Sequence, residues 1–167
     1  MSKRDVSERD AAIRQAAAEE RVDRLVELLQ SGVHHGKPGA SGRKVELASE
    51  GLQAKWEGNA LRLGQAVRGL AALEAASARK LACLLVAPLW LEGLSYTPLV
   101  LDLAADADWE VREWAVHPIA TLLSSDFPRG VERVRELAAN RDPAVRRQVV
   151  VAVKAVAHRR IRDSRPL

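Results

Sequence analysis

The sequence predicts an all-α chain, an α-solenoid in which short helical units repeat. Three observations predict it. Apolar residues recur at helical spacing along most of the chain, and no alternating apolar and polar run with turn signals reads as a strand. One fourteen-residue segment occurs twice at a fixed offset, the signature of a repeat architecture. Only six residues are aromatic, four of them Trp (56, 90, 109 and 114), which leaves Leu, Val and Ala to fill the interior.

The repeat fixes the architecture in most detail. Residues 103–116 (Leu-Ala-Ala-Asp-Ala-Asp-Trp-Glu-Val-Arg-Glu-Trp-Ala-Val) align without gaps on 137–150, offset by 34, with seven of fourteen positions identical. A weaker third copy begins at Leu70-Ala71-Ala72, offset by 33, with Ala78-Arg79 in place of Val-Arg and Ala75 in place of the Asp. Asp108 and Asp142 each precede an apolar-periodic run, where a carboxylate accepts the orphan N–H groups of a helix start. Pro143 then occupies the first helical position, where its missing N–H costs nothing. Each unit is thus helix, short turn, helix, and none can bury its apolar stripe alone. Thr97-Pro98-Leu99 resembles an ankyrin signature but does not recur, and the tetratricopeptide pattern is absent. An Asp…Val-Arg opening of the second helix is the feature of HEAT-like repeats. The expected organisation is a single HEAT-like repeat domain over residues 1–167, with units starting near 70, 103 and 137.

Element by element, a first helix is expected from about Ser7 to Gln30, with Ser7 as cap and Gly32 as stop. Segment 31–43, rich in Gly, Ser and Pro, reads as a flexible loop. Helices follow near 45–56, 59–75, 77–91, 97–106, 109–124, 129–140 and 143–160. The stretch 81–101 carries a single charge, Glu92, and is long enough to span a bilayer. Pro88, Gly93 and Pro98 punctuate it, with Ser95, Tyr96 and Thr97 as a turn, so two short buried helices around a loop are expected and no membrane span. Within 109–124, Pro118 removes the hydrogen bond to the Trp114 carbonyl and should kink the helix.

Composition narrows the function. Apolar residues make up 47% and charged residues 29%, a globular balance. One cysteine, Cys83, excludes an intramolecular disulfide framework and a Cys-based zinc site, and its apolar helix predicts a packing role. The first ten residues lack the apolar core of a signal peptide, so a cytoplasmic protein is expected. The net charge of +4 is uneven: from Arg129 onward eleven Lys or Arg face four Asp or Glu, a balance of +7, against −3 for residues 1–128. A basic C-terminal third is the footprint of an anionic partner such as nucleic acid, or of a solvated helix surface. His34-His35 in a Gly/Pro loop, without further ligands, is a poor metal site. The Gly-rich run 36–42 lacks the order of a phosphate loop. No metal and no cofactor are expected.

Helical geometry supplies the candidate site. In the helix starting at Trp109, Val111, Trp114, Ala115, Pro118, Ile119 and Leu122 share one side, the expected core. Trp109, Glu113 and His117 fall on the other. In the last helix the same angle carries Arg147, Lys154 and His158, with Val151 between them. An aromatic–acid–imidazole stripe would then flank a basic one, which suits a duplex held by its phosphates. Bland readings stand beside this one. Trp109 can cover the preceding loop, Glu113 can pair with Arg112 or Arg147 as a structural ladder, and His117 can be a surface imidazole.

The segment Glu113-Trp-Ala-Val-His-Pro-Ile119, followed by Asp142-Pro-Ala-Val-Arg-Arg147, resembles the AlkC/AlkD family of DNA alkylation-repair glycosylases. The resemblance covers about residues 100–150. His117 stands where the family carries an Arg. It implies a HEAT-like solenoid that holds double-stranded DNA on a basic face and hydrolyses the N-glycosidic bond of alkylated purines without a metal. Glu113 and Trp109 would be the catalytic pair, with Arg112, His117, Arg146, Arg147, Lys154 and His158 as DNA contacts. The competing reading is a non-catalytic HEAT-like scaffold that grips a protein partner.

Overall fold

The structure, a computed structural model, describes residues 3–92 and 96–163 and divides into two compact units, Met1–Leu85 and Val86–Leu167. Apart from one miniature hairpin, the described secondary structure is helical.

In the first unit the expected helix from Ser7 to Gln30 is two helices, α1 (Lys3–Ala18) and α2 (Val22–Gln30). The break is a hydrogen-bonded helix stop: the Glu20 N–H donates to the Ala17 carbonyl (3.1 Å) and the Arg21 N–H to that of Ala16 (2.9 Å). The stop requires a left-handed residue, and Glu20 takes that position with φ 57°. Glycine usually fills it, so the sequence carries no stop signal there. The Glu20 carboxylate is held instead by Arg62, whose Nη2 lies 2.8 Å away, and by Lys55 at 3.9 Å. The indole N–H of buried Trp56 and the Arg62 guanidinium keep the Glu20 carboxyl below its ordinary pKa.

The expected flexible loop contains an antiparallel ladder of β1 (Val33–His34) and β2 (Lys37–Pro38). His35 (φ 49°) and Gly36 (φ 76°) form the two-residue turn, whose paired positive φ angles match strand twist. Helices α3 (Gly42–Lys55), α4 (Ala60–Ala71) and α5 (Ala76–Leu91) complete the unit, and α4 is capped by the Asn59 side chain. Ile13, Leu25, Leu29, Val45, Leu52, Val67 and Leu81 form its apolar centre.

The second unit starts within α5, which runs through Pro88 to Leu91, as the helix expected near 77–91 does. After it come α6 (Thr97–Ala104), α7 (Trp109–Trp114), α8 (Val116–Ser125), α9 (Phe127–Ala138) and α10 (Pro143–Asp163). Gly93 and Ser95 of the expected turn lie outside the described residues. No helix among the described residues is long and apolar enough to cross a membrane. The single helix expected over 109–124 is divided at Ala115, whose N–H is shared between the Val111 and Arg112 carbonyls. Pro118 lies one turn later, buried, and cannot close the bond to Trp114. Cys83 is fully buried among apolar residues. Gly130 lets α9 approach α8, since a Cβ there would come within 2.8 Å of Leu123 Cα.

The sequence repeat is a repeat of hydrogen bonds. Asp108 caps α7 through the Glu110 N–H (2.8 Å), and Asp142 caps α10 through the Ala144 N–H (2.7 Å). Two residues earlier, Asp106 and Asn140 accept from the N–H groups of Asp108 and Asp142, both at 2.8 Å. In each copy one arginine then reaches back to the turn. Arg112 Nη1 donates to the Asp106 and Ala107 carbonyls (2.6 and 3.0 Å), and Arg146 Nη1 to those of Asn140 and Arg141 (2.9 and 2.7 Å). The third copy, in the first unit, repeats this: Arg79 Nη1 donates to the Leu73 and Glu74 carbonyls (2.9 and 2.6 Å). That copy has no acidic cap, having Ala75 at the cap position, and it keeps the arginine.

Two predictions follow from these contacts. Arg112→Ala removes a charged donor from two turn carbonyls and should lower stability by about 1–2 kcal/mol in urea unfolding. A cost near zero would show that the turn stands without its arginine. For Glu20 the folded pKa lies below the ordinary glutamate value, so its contribution is complete above that value and is lost as the pH falls through the folded one. The wild type should therefore exceed Glu20→Gln in urea midpoint near neutrality, with the gap shrinking on acidification. A gap independent of pH would contradict that assignment.

Candidate nucleic-acid interface

The site lies in the second unit, where α10 packs against α6, α7, α8 and α9. Asp108 starts α7 and so fixes the helical phase of the three residues expected to face outward. All three do: Trp109 is 49% exposed, and Glu113 and His117 are exposed. Val111, Ala115, Pro118, Ile119 and Leu122 are buried on the opposite side. Trp114 departs from the expected core. It is half-buried, and its ring stacks on His117 with centroids 5.6 Å apart and planes at 13°.

On α10 the buried stripe is Val145, Gln148, Val149, Ala152 and Val156. Arg146, Arg147, Lys154 and His158 are exposed, as the angle predicted, and Val151 is half-buried between them. The two stripes meet at one contact. Arg147 Nη1 lies 2.5 Å from Glu113 Oε1, joining equivalent positions of successive copies. Of the two partners considered for Glu113, the structure has Arg147. Both side chains stay substantially in solvent, 57% and 40% exposed, so the pair sets register more than it stabilises.

Gln148 was not anticipated. It is fully buried, and with its amide turned to satisfy both ends it donates to the Arg112 carbonyl (3.3 Å) and accepts from Arg147 Nη1 (3.2 Å). The signal was available: a polar residue in the apolar stripe of α10 needs a partner from the neighbouring element. Arg112 and Arg146, expected on the DNA side, have Nη1 engaged with turn carbonyls, and so position the starts of α7 and α10. Arg129 ties α9 to the end of α5 through the Leu91 carbonyl (2.6 Å). The outer side of α10 also carries Val150 (66% exposed) and Val153 (44%).

Chemically, the surface offers an indole, a carboxylate and an imidazole on one helix pair. Next to them is a helix with six cations, Arg146, Arg147, Lys154, Arg159, Arg160 and Arg162, against one anion, Asp163. A double-mutant cycle between Glu113→Gln and Arg147→Ala should return a coupling of roughly 0.2–1 kcal/mol that fades with added salt. Zero coupling at low salt would remove the contact that aligns the stripes. No known protein-family model, curated protein or solved structure matches the chain.

Proposed function

We propose that this chain is a HEAT-like helical-repeat protein, an α-solenoid, that binds double-stranded DNA through α10 and the outward side of α7 and α8. The observation that carries the reading is the Glu113–Arg147 contact, which brings the Trp109–Glu113–His117 stripe beside the Arg147–Lys154–His158 stripe with both exposed. Arg147 and Lys154 take phosphates, which supply most of the affinity. Trp109 offers a large half-exposed ring to a sugar or base. Arg112 and Arg146 act at one remove, holding the helix starts that carry these groups.

The finer reading draws on the resemblance to alkylation-repair glycosylases. There the Glu113 carboxylate stabilises positive charge at a deoxyribose carbon while Trp109 packs on the sugar. Arg147 shares that carboxylate in the free protein, so productive binding must draw the guanidinium toward a phosphate. Release of methylated purine by the wild type and its loss in Glu113→Gln is the direct test. Unchanged release in that variant would take Glu113 out of the chemistry.

One observation favours a second reading, a scaffold for a protein partner. Val150 and Val153 stand in solvent among the cations of α10, a pattern that fits an acidic amphipathic segment as well as a duplex. Salt dependence separates the two. Each phosphate contact contributes roughly −0.9 to the log–log slope of affinity against salt. Replacing Arg147 and Lys154 together by Ala should make the slope less steep by about two such units. A random duplex that fails to bind at low salt would overturn the DNA reading.

A further inference from the structure

Of the six aromatic residues, Trp56, Trp90 and Tyr96 are buried in the interior. Trp109 and Trp114 are placed differently, at the two ends of α7, with Trp109 exposed and Trp114 half-buried. Trp114 carries a further ring. The His117 imidazole lies nearly parallel to its indole, planes at 13° and centroids 5.6 Å apart, and His117 is itself exposed. The pair is an offset stack in which the protein backs one ring and the other reaches solvent. Pro118, buried directly after His117, limits the backbone from which the imidazole projects.

This stack stands beside cations. Glu113, one turn before His117, meets Arg147 of α10, and α8, whose second residue is His117, packs along α10 as well. A fully paired duplex has little use for such a ring. Inside a duplex the faces of each base are covered by its neighbours, and only base edges reach the grooves. A ring exposed next to phosphate-binding cations is the combination that holds a base which has left the stack.

We propose that the His117 imidazole, backed by Trp114, is a stacking shelf for one unpaired nucleobase, with Arg147 and Lys154 on the phosphates that flank it. The inference rests on the DNA reading above and narrows it to duplexes that carry an extrahelical nucleotide. Every base has a π face, so the shelf responds to the absence of pairing and not to sequence. A base that is already unpaired costs least to move onto it.

The test uses the full chain at low salt and two DNA probes: a perfect duplex, and the same duplex with one unpaired adenine at its centre. The wild type should bind the bulged duplex about tenfold tighter, within the range that one stacked base supplies. His117→Ala should bring that ratio close to one, and His117→Phe, which keeps a ring without the imidazole nitrogens, should preserve it. The chain has four histidines, and the ring-proton NMR signals missing from His117→Phe are those of His117. They should move upfield with the bulged duplex and much less with the perfect one, because a base stacked on the imidazole shields them. Equal wild-type affinity for the two probes overturns the shelf and leaves the DNA reading standing, whereas binding of neither probe overturns both. A ratio that survives in His117→Ala, or is lost in His117→Phe, also overturns the shelf. So do His117 signals that the bulge leaves unmoved, a result that needs no variant to fold beyond the one used for assignment.

Discussion

A guanidinium hydrogen-bonded to two turn carbonyls is the interaction on which the repeat depends. A helix that ends and another that begins five residues later leave carbonyls and N–H groups that no helix can satisfy. In the copies beginning at 103 and 137, side-chain caps at Asp108 and Asp142 meet the N–H groups, while Arg112 and Arg146 meet the carbonyls. In the copy beginning at 70 the acidic cap is gone and Arg79 still makes both of its bonds. The carbonyl side of the turn is therefore the part that all three copies keep. It fixes how the second helix leaves the first, and with that which residues it turns outward.

The functional reading inherits that geometry. Once Asp108 and Arg112 set the start of α7, Glu113 must follow Arg112 on the outward side. The next copy sends Arg147 out after Arg146 by the same construction. Arg147 occupies in the copy beginning at 137 the position that Glu113 holds in the copy beginning at 103, and the two side chains meet. Gln148, buried beneath them, joins the Arg112 carbonyl to Arg147 and makes the register specific. An exposed ion pair alone would be a weak constraint; backed by a buried amide with both ends satisfied, it is a stronger one.

Much of this was legible in the sequence, and what was missed has physical causes. The helical class, the caps at Asp108 and Asp142 and the exposure of Trp109, Glu113 and His117 follow from spacing and residue type. The helix stop at Glu20 did not, because glutamate in a left-handed conformation carries no signal and is held by Arg62, forty-two positions away. The break expected from Pro118 came at Ala115, and Trp114, expected in the core, is half-buried. The hairpin at 33–38 turns on His35-Gly36, a weaker cue than Asn-Gly. The arginine–carbonyl bonds were invisible for a different reason: reaching five and six residues back to main-chain oxygen leaves no mark on composition.

The central claim is that residues of the repeat copies beginning at 103 and 137, both in the second unit, form one working face. Mapping the backbone amide shifts caused by a short duplex, titrated at low salt, tests it most directly. The account predicts that amides around Trp109, Glu113 and His117 move together with those around Arg147, Lys154 and His158 at a common affinity, while the unit Met1–Leu85 stays still. Shifts confined to the first unit, or to only one of the two stripes, would contradict it.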